Sequence, residues 1–137
     1  MFRTLEISAS GLLAQRTRID VIAGNIAHAQ TTMNEDGQPE PFQRRIVALT
    51  TQAGRPGPAT RGQGVQAEIA IDTDTPPRKV YQPGHPHADA GGYVDFPNVN
   101  VITEFVNALE ASRAYEANVS MMEVTKAMIS SSLRLIA

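Results

Sequence analysis

Apolar residues recur at helical spacing at the two ends of the chain and lose that spacing between them. From Leu5 to about Ala29, the positions Leu5, Leu12, Ile19 and Ile26 return every seven residues, with Phe2, Ala9 and Ala23 one turn away. A strict seven-residue seam predicts a helix that pairs with another helix, because a globular surface helix carries a wider apolar stripe. Gly11 and Gly24 interrupt this helix, and each costs about 1 kcal/mol relative to Ala in a helix interior. A neighbouring backbone is therefore expected to approach closely at both.

The C-terminal segment repeats the pattern over a longer span. Val101, Phe105, Ala108, Ser112, Tyr115, Val119, Met122, Lys126, Ile129, Leu133 and Ile136 alternate in steps of four and three, and only Lys126 is out of character. Pro97 cannot lie inside a helix, Asn100 is a suitable N-cap, and Glu104 falls where a helix N-terminus favours negative charge. A helix of some 36 residues would be roughly 54 Å long, more than a domain of this size covers.

Between the helices lie all nine prolines and most of the glycines. "FQRRIVALT" and "GVQAEIAID" read as strands, the second placing Val65, Ala67, Ile69 and Ile71 on one face, and "RKVY" suits an edge strand. "AGRPGPATRGQG" has the composition of a loop. The chain thus divides into an N-terminal helix and turn (1–32), a β-rich insert with loops (33–97) and a C-terminal helix (98–137).

Composition changes this picture in two ways. The chain is 42% hydrophobic but only 5% aromatic, without Trp, so a thin core is expected. From Asn98 onward the charged residues are Arg113, Lys126 and Arg134 against Glu104, Glu110, Glu116 and Glu123. A solvated helix of that length carries more charge, so this one is expected to touch partners on several sides. A plain two-helix hairpin with a decorated tip is the simpler alternative.

Net charge of −2 without a basic stripe argues against nucleic acid as a partner. The absence of cysteine removes disulfides and thiolate sites. No run of about 18 apolar residues could span a membrane, and the N-terminus lacks the apolar core of a secretory signal.

The one stretch that invites a catalytic reading is "QPGHPHADAGGY", where His85, His87 and Asp89 could face a metal ion. Three ligands with a proline between the histidines converge poorly. A loop in which His85 and Asp89 bond to neighbouring backbone is the favoured reading. Ser130, Ser131 and Ser132 have no histidine near in sequence, and Asp72 and Asp74 suit an exposed turn before Pro76. No cofactor is expected.

The same loop and the helix after it carry a denser signal. His85, Pro86, Ala88, Asp89, Gly92, Tyr93, Val94, Pro97, Asn98, Val99, Asn100 and Val101, followed by Val106, Asn107, Ala111, Ser112, Arg113, Tyr115 and Asn118, resemble the C-terminal half of the proximal rod proteins of the bacterial flagellar basal body. At the N-terminus, "SASGLLAQRTRIDVIAGNIAHAQTT" resembles the helix and turn shared by flagellar rod and hook proteins. Gly24, Asn25, Ile26 and Ala27 fit that pattern, while His28 and Gln30 stand where the family has asparagine. The resemblance covers about the first 32 and the last 60 residues.

It implies a mainly α fold: two long terminal helices forming an antiparallel coiled coil, with a small β-rich insert between them. It also implies a structural subunit, not an enzyme. Its partners would be copies of itself, other rod proteins and the inner-membrane ring and export-gate region, reached through the flagellar type III pathway. Leu5, Leu12, Ile19 and Ile26, with Val101, Phe105, Tyr115, Val119, Met122, Ile129, Leu133 and Ile136, are the expected assembly seams. Arg113 is the charge expected to bridge to a neighbouring subunit or to lie on a solvated face. Helices that are marginal alone are expected to be mobile in a free subunit and to order on assembly. A soluble helix-binding adaptor or chaperone of the export system is the alternative of a different class.

Overall fold

The computed structural model describes residues 2–34, 36–52 and 64–136. Most of the proline- and glycine-rich loop expected at 53–64 lies outside the described residues. The elements in order are α1 (Phe2–Ala27), β1 (Arg45–Thr51), β2 (Val65–Ile71), β3 (Arg78–Tyr81), β4 (Tyr93–Phe96) and α2 (Val101–Ile136). The expected outline of two terminal helices around a strand-bearing insert is present.

α2 begins where Pro97 and Asn100 place it. Asn100 Oδ1 accepts the N–H groups of Ile102 and Thr103 at 3.0 and 3.2 Å. Its carbonyl accepts the Glu104 N–H at 3.0 Å, so the cap satisfies donors that the helix cannot. α1 ends without a left-handed glycine. Its chain tightens instead, with His28 N–H donating to Gly24 C=O, Ala29 to Ile26 and Thr31 to His28.

Among the described residues the insert forms two two-stranded sheets, β1 with β2 and β3 with β4. At the ends of the first, Asp72 N–H donates to Arg44 C=O and Gln52 N–H to Gly64 C=O, both at 2.8 Å. β4 has no counterpart among the strands expected from the sequence. It pairs antiparallel with β3 in the register Arg78 with Phe96, Lys79 with Asp95, Val80 with Val94 and Tyr81 with Tyr93. Alternation puts Val94 inward at 1% exposure and leaves the tyrosine pair outside, rings 5.3 Å apart. Gly92, at φ +79°, closes this hairpin where a Cβ would come within 2.9 Å of the Tyr81 ring. Both the backbone angle and the space demand glycine.

By contacts the chain separates into two compact units, each drawing on both helices. The first comprises Met1–Ile19, Val47–Glu68 and Leu109–Ala137. In it α1 and α2 run antiparallel: Gly11 faces Asn118, and Arg18 pairs with Glu110 at 3.4 Å. Among its described residues, Ala14 and Ala111 are the buried apolar ones. The thin core expected from composition is built from the smallest side chains.

The second unit comprises Asp20–Ile46 and Ile69–Ala108. It buries Ile22, Ala29 and Val94 together with three polar residues, Asn25, Thr32 and Glu104. The two helical glycines differ. A Cβ at Gly11 would meet the Asn118 side chain at 3.3 Å, whereas one at Gly24 would meet nothing within 4 Å. A side chain, not the expected neighbouring backbone, lies close to the first, and nothing lies close to the second.

Candidate functional site

Around the buried Asn25 and Glu104 of the second unit, polar groups from four segments converge. Asn25, near the end of α1, is 1% exposed. Its amide nitrogen donates to the Arg45 C=O at 2.7 Å and its Oδ1 accepts the Arg45 N–H at 2.9 Å. One side chain thus takes the place of a neighbouring strand at the first residue of β1. The same nitrogen donates to Glu104 Oε2 at 3.2 Å.

Glu104, also 1% exposed, lies in the first turn of α2. Its Oε1 accepts Arg44 Nε at 3.1 Å and Nη2 at 2.6 Å. A planar guanidinium fork on a carboxylate is among the stronger charge-assisted pairs. Arg44 Nη1 also lies 3.5 Å from Asp72 Oδ2.

The Arg44 guanidinium is held above its ordinary value, chiefly by the hydrogen bond to Glu104 and also by Asp72, against some desolvation. Asp72 caps its own turn. Its carboxylate accepts the Thr75 hydroxyl at 2.9–3.0 Å and the N–H groups of Asp74 and Thr75 at 3.3 Å. The Thr75 hydroxyl chiefly, then those N–H groups and Arg44, hold it below the usual carboxylate range. A cavity of about 300 Å³ opens beside Arg44 and Asp72, walled by Pro41, Phe42, Pro76 and Pro97. Bonds of this kind join segments of the chain.

The histidine loop is also held by internal bonds. His85 Nδ1 accepts the His87 N–H at 3.1 Å, and His87 Nδ1 bonds to Thr32 Oγ1 at 2.9 Å. Asp89 Oδ1 accepts the N–H groups of Gly91 and Tyr93 at 2.8 and 2.9 Å. The backbone bonding expected of His85 and Asp89 is therefore present. Among the described residues no group of three or more His, Asp and Glu side chains could hold a metal ion, and no helix is long and apolar enough to cross a membrane.

The remaining motif residues frame this loop. Pro97 is buried, Gly92 is half-buried, and Pro86, Tyr93, Asn98 and Asn100 are exposed. Asn98 donates to the Pro76 C=O at 3.2 Å.

On the helices the heptad residues flank the buried ridges. Leu5, Leu12, Ile19 and Ile26 are all half-buried, whereas Ala14, Ile22 and Asn25 are the buried residues of α1. On α2, Glu104 and Ala111 are buried, and Asn118, Val119, Met122 and Ile129 are half-buried. Val101, Phe105, Arg113, Tyr115 and Leu133 are exposed, and the Ile136 side chain is outside the described residues. Arg113 joins none of the described ion pairs.

Further apolar residues of α2, not picked out by the heptad count, are also exposed. Ile102 is 76% exposed, and Val106, Leu109, Met121, Val124 and Met128 lie between 54% and 66%.

Sequence reasoning singled out Asn25 but not its bonds to the Arg45 backbone and to Glu104. Arg44, which pairs with Glu104, Thr32, which bonds to His87, and the inward orientation of Glu104 carry no motif of their own. The available cue was a glutamate four and seven residues ahead of Ala108 and Ala111 on one helix face.

Comparison with known proteins bears on the whole chain. A family described as "Flagellar basal body rod FlgEFG protein C-terminal" matches residues 90–135. The chain is 39% identical over 135 residues to the flagellar basal-body rod protein FlgC of Salmonella typhimurium, covering 98% of this chain and 97% of that one. It is 37% identical over 151 residues to FlgC of Borreliella burgdorferi (99% and 97% covered). It is 35% identical over 145 residues to FlgC of Bacillus subtilis (98% and 97% covered).

Proposed function

The chain belongs to the family of flagellar basal-body rod proteins FlgC, and from that membership and the surface of its helices we propose how it works as a rod subunit. It is a structural component of the flagellar basal body. Its job is to pack against copies of itself and other rod proteins in the shaft that carries motor torque towards the hook. It acts by contact, without an active site, and it reaches the rod through the flagellar type III pathway, next to the inner-membrane ring and export gate.

The observation that carries this reading is the set of apolar side chains left open on α2, Ile102, Val106 and Leu109 near its start and Met121, Val124 and Met128 further along. A helix within a finished monomer would turn such side chains inward. Burying a Leu, Ile, Val or Met side chain contributes about 1.5–3 kcal/mol, so a few of these positions per contact suffice to hold neighbours. The half-buried heptads on α1 and α2 wrap as an antiparallel coiled coil that completes when neighbours cover its flanks. Torsional stiffness then comes from close packing over many contacts.

A cysteine-free chain makes the test direct. Single substitutions Ile102→Cys and Val124→Cys, oxidised or bridged by a short bis-maleimide in intact basal bodies, are expected to give covalent dimers that remain with the rod, since each chain then carries one thiol. Crosslinks from Asp74→Cys, in an exposed turn, serve as the comparison. Capture of the two α2 variants only as one-to-one soluble complexes would favour the adaptor reading.

A further inference from the structure

We propose that Glu104 is a positioning residue that fixes the register of α2 against α1 before the subunit joins the rod, so that the outward apolar side chains of α2 are presented at one setting. The inference rests on the rod reading for its purpose, but its physical basis lies within the second unit.

Helix faces built from alanine and other small residues pack closely and specify register poorly, because sliding by a turn or a heptad exchanges one small side chain for another. On α2 the face that follows Glu104 continues with Ala108, Ala111 and Ala114, a run that tolerates such sliding. A polar residue at one buried position removes that freedom. In the observed register the Glu104 carboxylate is 1% exposed and has a partner for each oxygen, Arg44 on Oε1 and Asn25 on Oε2. Moving α2 by a turn would bury this carboxylate without them, which is strongly unfavourable. It would also leave Asn25 short of one acceptor while its bonds to Arg45 hold.

The lock therefore selects one setting more than it adds stability. It holds the first turn of α2, the last turns of α1 and the entry to β1 together in the free subunit. The ordering that accompanies assembly is then confined to the parts of the helices lying outside this unit.

The test uses the full chain free in solution and compares wild type with the double variant Arg44→Met/Glu104→Leu and with Glu104→Gln. In wild type, amide exchange at Arg45 and at residues 104–108 is expected to be at least about tenfold slower than at residues 120–134. The double variant replaces the ion pair by apolar groups, so it is expected to resist urea about as well as wild type while showing doubled amide resonances over residues 20–31 and 100–108. Glu104→Gln keeps an acceptor for Arg44. It is expected to retain one set of resonances, with the Arg45 amide exchanging about five- to tenfold faster.

A double variant with a single, wild-type set of resonances overturns the proposal. If that variant does not fold, unchanged Arg45 exchange in Glu104→Gln overturns it instead. Failure of the wild-type chain to enter basal bodies would sink the rod reading and leave these solution results to decide the lock on their own.

Discussion

Removing the Asn25 side chain is the most informative single change to the fold. Asn25→Ala deletes three hydrogen bonds at a residue that is 1% exposed, two to the Arg45 backbone and one to Glu104. At about 1 kcal/mol net for each bond, with a further desolvation loss for buried groups left unpaired, the expected destabilisation is about 3–5 kcal/mol. Against the 5–15 kcal/mol typical of whole domains, a loss of that size would move a urea midpoint by an easily measured amount. Asn25→Asp is expected to be at least as damaging at pH 7. It keeps the acceptor for the Arg45 N–H but loses both donated bonds and sets a second carboxylate beside Glu104. The assay is urea unfolding of the free chain followed by far-ultraviolet circular dichroism, with tyrosine fluorescence as a second probe. A loss below about 1 kcal/mol for Asn25→Ala would refute the reasoning, because it would mean that water replaces the amide at no cost.

Other positions give smaller, signed expectations. Asp72 has a folded pKa below its unfolded value, so its contribution is present above the ordinary carboxylate pKa near 4 and fades as pH falls through the lower folded value. The stability difference between wild type and Asp72→Asn should accordingly be flat from about pH 5 to 8 and shrink below about pH 4. Gly24→Ala should stabilise the chain by about 0.5–1 kcal/mol in urea unfolding, since it relieves a helical glycine and its Cβ meets nothing within 4 Å. Gly64→Ala should destabilise by about 1–2 kcal/mol, because its Cβ would lie 2.8 Å from Ser10 Oγ, which also accepts the Val65 N–H. Gly84→Ala, with open space around it, is the paired control and should stay within about 0.5 kcal/mol of wild type.

Much of this fold could be read from local chemistry. Pro97 and Asn100 mark the start of α2 because one cannot continue a helix backwards and the other caps it. "RKVY" coincides with β3. What local pattern could not supply was pairing across the chain. β4 is only four residues long, and its strand character comes from β3 and from the turn at Gly92.

Heptad counting found the helices but placed their seam a little off the buried ridge. It weighs size and apolarity, whereas the innermost positions are filled by Ala14, Asn25, Glu104 and Ala111. The polar junction was legible only in part. Asn25 stood out through its motif, while Arg44 and Glu104 are separated by sixty residues and acquire meaning only once folded together. The histidine pair shows the converse: a suggestive spacing whose Nδ1 atoms are engaged by His87 N–H and Thr32 Oγ1.

The measurement that bears most directly on the whole account is localisation of the chain in purified hook–basal bodies. An epitope-tagged copy would be expressed in cells lacking the native gene, and the particles examined by immunogold electron microscopy and mass spectrometry. The account predicts label on the rod, several copies per particle, and restored swimming. Tagged chain recovered only in the soluble fraction, with rods assembled and filled without it, would contradict the account.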